Sequence, residues 1–295
     1  MPQSPIVFDR ALLRRRLMRA QTLGFEPFLI DRVAAELSER LGAVLRRFDR
    51  AVDLGTPTEA VRAALSRQPS LGMVIAAAAL PRAKPSVVAD AEALPFRDGA
   101  LDLVVSALAL QLVNDLPGTL IQIRRALKGD GLFLAALLGG DTLTELRQSF
   151  AAAEAEVEGG VSPRVAPFAD VREMGALLQR AGFALPVTDA DRLIVRYASP
   201  FRLMAELRRM GAANALAERR RTPLRRATLR RMAEIYAARF ADPDGKVRAT
   251  FEVIWLSGWA PHESQQKPLR PGSAQARLAD ALGTREIGTG EKAGE

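Results

Sequence analysis

The sequence predicts an α/β fold built on a doubly wound, mostly parallel sheet with helices on both faces. Three observations carry that expectation. Short β-prone runs alternate with helix-prone runs between residues 50 and 138. Two of those runs, 101–106 and 131–138, are apolar at nearly every position, as strands buried on both faces are. Asp, Ser or Gly stands just where the strands end, the crevice side on which open parallel sheets bind ligands.

Each element follows from local pattern. Leu12, Leu13 and Leu17, then Phe28, Leu29, Val33, Leu37, Leu41 and Leu45, recur at helical spacing and predict two helices within residues 6–47, parted near Gly24 and Pro27. Residues 50–54 form a strand that ends in Gly55-Thr56-Pro57, and 59–67 favour helix. Residues 71–79 read as a strand running into an alanine tract, and 86–89 as a short strand closed by Asp90. A buried strand at 101–106, a helix at 116–127 and a strand at 131–138, after the turn Lys128-Gly129-Asp130-Gly131, complete the alternating part. Helices at 142–156 and 170–181 follow. Residues 185–197 alternate like paired edge strands, 200–240 are helical with a break at Thr222-Pro223, and 250–259 form a β-rich last strand. The predicted organisation is N-terminal helices at 1–48, a core at 49–198, an arginine-rich helical insertion at 199–245, a last strand and tail completing the core at 246–275, and a disordered tail at 276–295.

Composition excludes several chemistries. The 295 residues contain no cysteine, so disulfides, thiolate nucleophiles and thiolate-held metals are ruled out. His262, the single histidine, rules out a two-histidine, one-carboxylate iron site and any two-histidine zinc motif within this chain, and no metal ligand set is expected. No apolar run approaches the ~20 residues that span a bilayer, and the first residues lack a secretory signal's apolar stretch. An intracellular, cytoplasmic protein is expected.

The predicted strand ends carry Asp53-Leu54-Gly55, Asp90-Ala91-Glu92, Ser106-Ala107 and Gly139-Gly140-Asp141. Three carboxylates beside one crevice suit recognition of hydroxyl and amine groups on a nucleoside; helix capping and turn formation explain the same residues singly. Asp141 and Glu145 either cap the helix they open or grip a cationic guanidinium.

These residues also carry a resemblance. Asp53-Leu54-Gly55, Asp90-Ala91-Glu92-Ala93-Leu94-Pro95-Phe96, Leu101-Asp102-Leu103-Val104-Val105-Ser106, Asn114-Asp115-Leu116-Pro117 and Leu127-Lys128-Gly129-Asp130-Gly131 resemble the successive motifs of class I S-adenosylmethionine methyltransferases. That resemblance implies a seven-stranded Rossmann-like sheet, with S-adenosylmethionine held by Asp53, Gly55, Asp90, Ala91, Ser106 and Ala107. Phe8-Asp9-Arg10, Gly139-Gly140-Asp141-Thr142-Leu143-Thr144-Glu145-Leu146-Arg147 and Gly258-Trp259-Ala260-Pro261-His262-Glu263-Ser264-Gln265, running on to Gly272-Ser273-Ala274, narrow it. They resemble the methyltransferase-like assembly factors of respiratory complex I, the arginine-hydroxylase assembly factor 5 family, in a bacterial form. The implied activity is hydroxylation of an arginine in the iron–sulfur subunit of the quinone arm, with that subunit as partner and a peripheral location at the inner membrane. Asp141, Glu145 and Gln111 become the catalytic candidates, Gln111 standing where the family often has a histidine. The second half, around Glu206 and Gly211-Ala212, is also similar to the malonyl-carrier-protein methyltransferase of biotin synthesis. A catalytically degenerate chaperone on the same fold is the third expectation.

The chain departs from the methyltransferase pattern at two places. Thr56, Pro57, Thr58 and Glu59 follow Gly55 where further glycines let the backbone approach the cofactor, and Ile75 to Ala79 offer no acid for the ribose hydroxyls.

Charge is the last signal. Lys plus Arg number 42 against 34 acids, a net +8, and only Lys84, Lys128, Lys246, Lys267 and Lys292 are lysines. Residues 202–231 hold ten arginines against Glu206 and Glu218, an excess of eight that equals the whole net charge. A genome rich in arginine codons and a docking face for an acidic protein or anionic membrane both explain this. Arg219, Arg220, Arg221, Arg225 and Arg226 are the expected contacts; Trp259 and His262 form either a capped turn that holds the end of the last strand or a lid or substrate contact. Two Tyr and two Trp leave too few stacking side chains for nucleic acid.

Overall fold

The structure is a computed structural model that describes residues 6–266 and 278–285. Among the described residues, seven strands form one sheet in the order β3-β2-β1-β4-β5-β7-β6. They are β1 (Phe48–Leu54), β2 (Leu71–Ala78), β3 (Ser86–Val88), β4 (Leu101–Ala107), β5 (Leu127–Leu138), β6 (Ala184–Tyr197) and β7 (Val247–Trp259). The first five strands run parallel, and β7 lies antiparallel between β5 and β6. Strand order reverses between β1 and β4, which places a crevice at their carboxyl ends.

The continuous apolar runs have the cause expected of them. On β5, Leu132, Leu134 and Ala136 face one apolar layer while Phe133, Ala135 and Leu137 face the other, so no position is left for a polar side chain. The first layer is completed by α2 (Phe28–Gly42), α3 (Ala60–Leu65), α5 (Thr144–Glu158), α7 (Pro200–Arg209) and α8 (Arg226–Phe240). The second is covered by α4 (Leu116–Ala126) and α6 (Val171–Arg180).

Two expectations are corrected. Residues 185–197 are one long outer strand, β6, paired with β7 from Ala184↔Trp259 to Tyr197↔Val247; its alternation reflects one covered and one exposed face. The tail expected to be disordered contains a short helix, α9 (Leu278–Leu282), while residues 276–277 and 286–295 lie outside the described residues, as does Gly272-Ser273-Ala274. The chain groups into a unit ending at His262 and a second beginning at Glu263, to which α9 belongs. No helix among the described residues is long and apolar enough to cross a membrane.

The N-terminal segment is fastened over the crevice end of the sheet. Asp9 caps α1 (Arg10–Thr22) by accepting from the Leu12 N–H, and the N–H groups of Val7 and Phe8 donate to Asn114 Oδ1 at 2.9 and 2.7 Å. Phe8 also bridges Leu216 in the long α7–α8 connection. Asn114→Ala removes the acceptor of two backbone donors, and urea denaturation is expected to show a loss of ~2 kcal/mol.

Candidate functional site

A cavity of about 510 Å³ opens at the carboxyl ends of the strands, roofed by α1 and the α7 region. Gly55 forms part of its floor. Its φ of +75° and the Ala109 Cβ, 2.9 Å from where a Gly55 Cβ would stand, leave room for glycine alone. Gly55→Ala is expected to lower stability by ~2 kcal/mol in urea melts, from left-handed strain plus the clash.

Beneath that turn the chain closes on itself. Thr56 donates its hydroxyl to buried Asp53 and accepts the Ala107 N–H at 3.3 Å, and Ser106 donates to the Leu54 carbonyl at 2.7 Å. Burial pushes the Asp53 carboxyl up to about 7; Glu59 adds to the rise, while Thr56, Arg82 and Arg62 oppose it. Asp53, Ser106 and Ala107 thus support the cavity floor from below, and of the first motif only Gly55 and Pro57 reach the cavity. Glu59 turns to Arg62, 2.5 Å away.

At the end of β2 the cavity wall is Ala77, Ala78, Ala79 and Leu80, with no carboxylate. A cation stands there instead. Arg82 donates to the carbonyls of Thr56 and Pro57, tying down the loop after β1, while its buried Nε has no hydrogen-bond partner among the described residues. Asp90 accepts from the Glu92 N–H at 2.8 Å and from the Arg10 guanidinium, which also pairs with Glu92 at 3.0 Å. Its neighbour Ala91 lines the cavity.

Of the catalytic candidates, Gln111 is in the cavity wall. Its amide donates to the Leu108 carbonyl at 2.9 Å and its buried Oε1 has no partner among the described residues. Asp141 and Glu145 have other work. Asp141 pairs with Arg192 of β6 and is half exposed, outside the cavity; its expected guanidinium is supplied by this chain. Glu145 is buried and accepts the N–H and hydroxyl of Thr250 at 3.0 and 2.5 Å, fixing α5 to β7.

The arginine segment and the end of β7 also differ from expectation. Arg219 pairs with Asp9, Arg220 and Arg225 with Glu158, Arg231 with Glu156 and Glu234, and Arg209 with Glu26. Asp9, Glu26, Glu156 and Glu158 lie outside residues 202–231, so a count along the segment overstated its free charge. Arg221 and Arg226 have no ion-pair partner among the described residues. Trp259 pairs with Leu132 near the start of β5, beneath Arg46, and a Cβ on Gly129 would lie 2.6 Å from His262. Both therefore sit at the end of the sheet opposite the cavity.

Sequence reasoning missed the arginines facing the cavity, although Arg10 and Arg14 share the helical spacing of Leu13 and Leu17. It also missed Leu108 and Leu143. Both line the cavity in the left-handed region, with φ of +51° and +55°, at the ends of the β4 and β5 loops.

Residues 52–135 match the model of a methyltransferase domain family. Over 286 residues, the chain is 38% identical to arginine-hydroxylase NDUFAF5, mitochondrial, of Danio rerio, covering 93% of this chain and 89% of that protein. The chain belongs to the arginine-hydroxylase NDUFAF5 family. It is also 33% identical over 270 residues to the malonyl-[acyl-carrier protein] O-methyltransferase of Xylella fastidiosa (strain M23), covering 86% of this chain and 89% of that one. Among solved structures, the YcgJ protein of Bacillus subtilis superposes with a TM-score of 0.52 at 14% identity, over 77% of this chain and 98% of that one. This member of the NDUFAF5 family thus has the expected Rossmann-like fold of class I methyltransferases.

Proposed function

We propose that this chain hydroxylates an arginine of a partner protein, and that the partner is the quinone-arm iron–sulfur subunit of respiratory complex I during assembly. The observation that carries this reading is the extent of the family match. It covers 93% of the chain, far beyond the methyltransferase domain at 52–135. Hydroxylation replaces one hydrogen of the arginine side chain by a hydroxyl group. Dioxygen supplies that oxygen atom, and a two-electron reductant brought from outside this chain takes the other to water.

S-adenosylmethionine fits this cavity poorly. Its ribose hydroxyls would meet alanines rather than a carboxylate, Pro57 removes a backbone donor, and Arg82 already occupies the loop carbonyls. No methyl transfer is therefore assigned. Calorimetry with S-adenosylmethionine is expected to show no binding in the micromolar range.

The experiment for the hydroxylase reading is deletion of the gene, followed by peptide mass spectrometry of the complex I subunit. The arginine should lose the mass of one oxygen atom and regain it on complementation. Persistence of the modification in the deletion strain would overturn the reading. A second reading, a binding platform without chemistry, draws support from Asp141 and Glu145, whose carboxylates are engaged by Arg192 and Thr250. It expects complex I to fail in the deletion strain although the arginine is unmodified in the wild type.

A further inference from the structure

The cavity carries a charge imbalance that the hydroxylase reading does not use. Six arginines line it, Arg10, Arg14, Arg16, Arg82, Arg164 and Arg208, against one carboxylate, Glu26. Arg10 is neutralised by Asp90 and Glu92, Arg164 by Glu154, and Glu26 is itself held by Arg209 at 3.1 Å. Arg82 is fastened to backbone carbonyls. Arg14 faces the Asp90 carboxylate and helps to hold its pKa down, which leaves Arg16 on α1 and Arg208 on α7 with no ion pair or side-chain hydrogen bond among the described residues.

These two belong to one roof. The two helices meet where Gly211, just past α7, abuts Leu17 so closely that a Cβ would stand 2.9 Å from it. Arg16 is the more enclosed of the two: it is half-buried, and its Nε is sealed from solvent without an acceptor among the described residues. Burial, reinforced by Arg219, Arg19, Arg15 and Arg208, lowers its proton affinity. A guanidinium kept in such surroundings without a counter-ion is costly, and an anion relieves both the repulsion and the missing hydrogen bonds. The wall beneath is apolar: Leu13, Leu17, Leu146, Phe150, Met204 and Leu207.

We propose that Arg16 and Arg208 form a subsite for the carboxylate of an organic acid whose apolar body lies against Leu13, Leu17, Phe150 and Met204. A carboxylate suits the planar guanidinium fork and brings one charge to be desolvated, the smaller penalty beside so apolar a wall than a phosphate dianion. This inference rests on the cavity alone and stands whether or not the chain hydroxylates arginine. Its bearing on that reaction is electrostatic. A peptidyl guanidinium entering the same cavity would meet uncompensated arginines, and the bound acid supplies the missing negative charge.

The test is calorimetry on the full chain with octanoate, octanol, octyltrimethylammonium and inorganic phosphate as probes. Octanoate should bind at least about tenfold more tightly than octanol or phosphate, and the ammonium should not bind. Arg16→Met combined with Arg208→Met should weaken octanoate at least about tenfold while leaving the thermal midpoint unchanged or higher, because like charges are removed. Arg208 is exposed, so Arg208→Met alone tests the subsite even where the double variant folds poorly, with an expected loss of about threefold. No octanoate binding, equal binding of octanol or phosphate, or unchanged octanoate affinity in Arg208→Met or in the folded double variant would each overturn the proposal.

Discussion

Replacing Glu154 by alanine is expected to destabilise the protein by about 3–5 kcal/mol, the range for removing one partner of a buried ion pair. Glu154 lies on α5 with its side chain shut away from solvent, and four donors converge on it. The Ser162 N–H and hydroxyl stand at 2.7 and 2.9 Å, Arg164 Nε at 2.8 Å, and Arg164 Nη2 completes the set. Without the carboxylate, Arg164 remains mostly buried over the Phe150 ring with no counter-charge. The consequence reaches the cavity, because Phe150, Arg164, Val165, Ala166 and Phe168 all belong to its wall. Urea denaturation at neutral pH measures the effect, and Glu154→Gln should cost less because it still accepts from Ser162. The pH dependence gives a second check. Burial alone would raise the Glu154 carboxyl, but the Ser162 N–H, the Arg164 guanidinium and the Ser162 hydroxyl outweigh it and hold it below the usual carboxylate range. Its contribution is therefore present above the unfolded-state value and is lost as pH falls through the folded one. Wild type and Glu154→Ala should draw together in acid.

The same helix shows where sequence reading stops. Glu154, Glu156 and Glu158 lie in and just beyond an alanine-rich run whose sequence predicts a helix and no partner for any of the three. In the fold each meets a specific basic partner: Arg164, then Arg231, then Arg220 beside Thr228. Those pairings join residues up to 75 positions apart, and neither charge pattern predicts them by itself. The arginine excess at 202–231 looked free for the same reason. The sheet, by contrast, was legible because its cause is local. Residues 131–138 carry no polar side chain and 101–106 only Asp102 and Ser106, so both read as central strands, and β4 and β5 are central.

The site was legible in part. Asp53 and Gly55 announce a strand end and a turn that requires glycine, and both are there. Leu108 and Leu143 gave no warning, since leucine seldom takes positive φ; tertiary contacts impose it, such as the Leu143 N–H on the Thr250 carbonyl at 2.7 Å. Arg10 was visible within Phe8-Asp9-Arg10, but its pairing with Asp90 depends on α1 crossing the crevice, which no local spacing encodes.

Asp53→Asn should remove most of a pH dependence that the wild type shows between about pH 4 and pH 7. Asp53 is buried under the Gly55 turn, and its carboxyl rises from 3.8 to about 7, chiefly through burial and then through Glu59. In that window the folded protein binds a proton that the unfolded chain has released, so stability falls as pH rises. The shift of about three units corresponds to roughly 4 kcal/mol, fully retained below pH 4 and lost once pH has passed the folded value. Asparagine keeps the oxygen that accepts from the Thr56 hydroxyl and carries no charge to desolvate. The variant should therefore exceed the wild type in urea midpoint at pH 8 and match or fall below it at pH 4. Equal pH slopes for the two proteins would mean that Asp53 stays ionised in the fold, with its charge compensated by Arg82 and Arg62. The comparison also bears on the cavity. A neutral Asp53 removes one of the two negative charges acting on the Arg82 guanidinium, Glu59 being the other, so in the wild type the positive potential of the cavity should grow as pH falls below 7, and an anionic ligand should bind more tightly there than at pH 8.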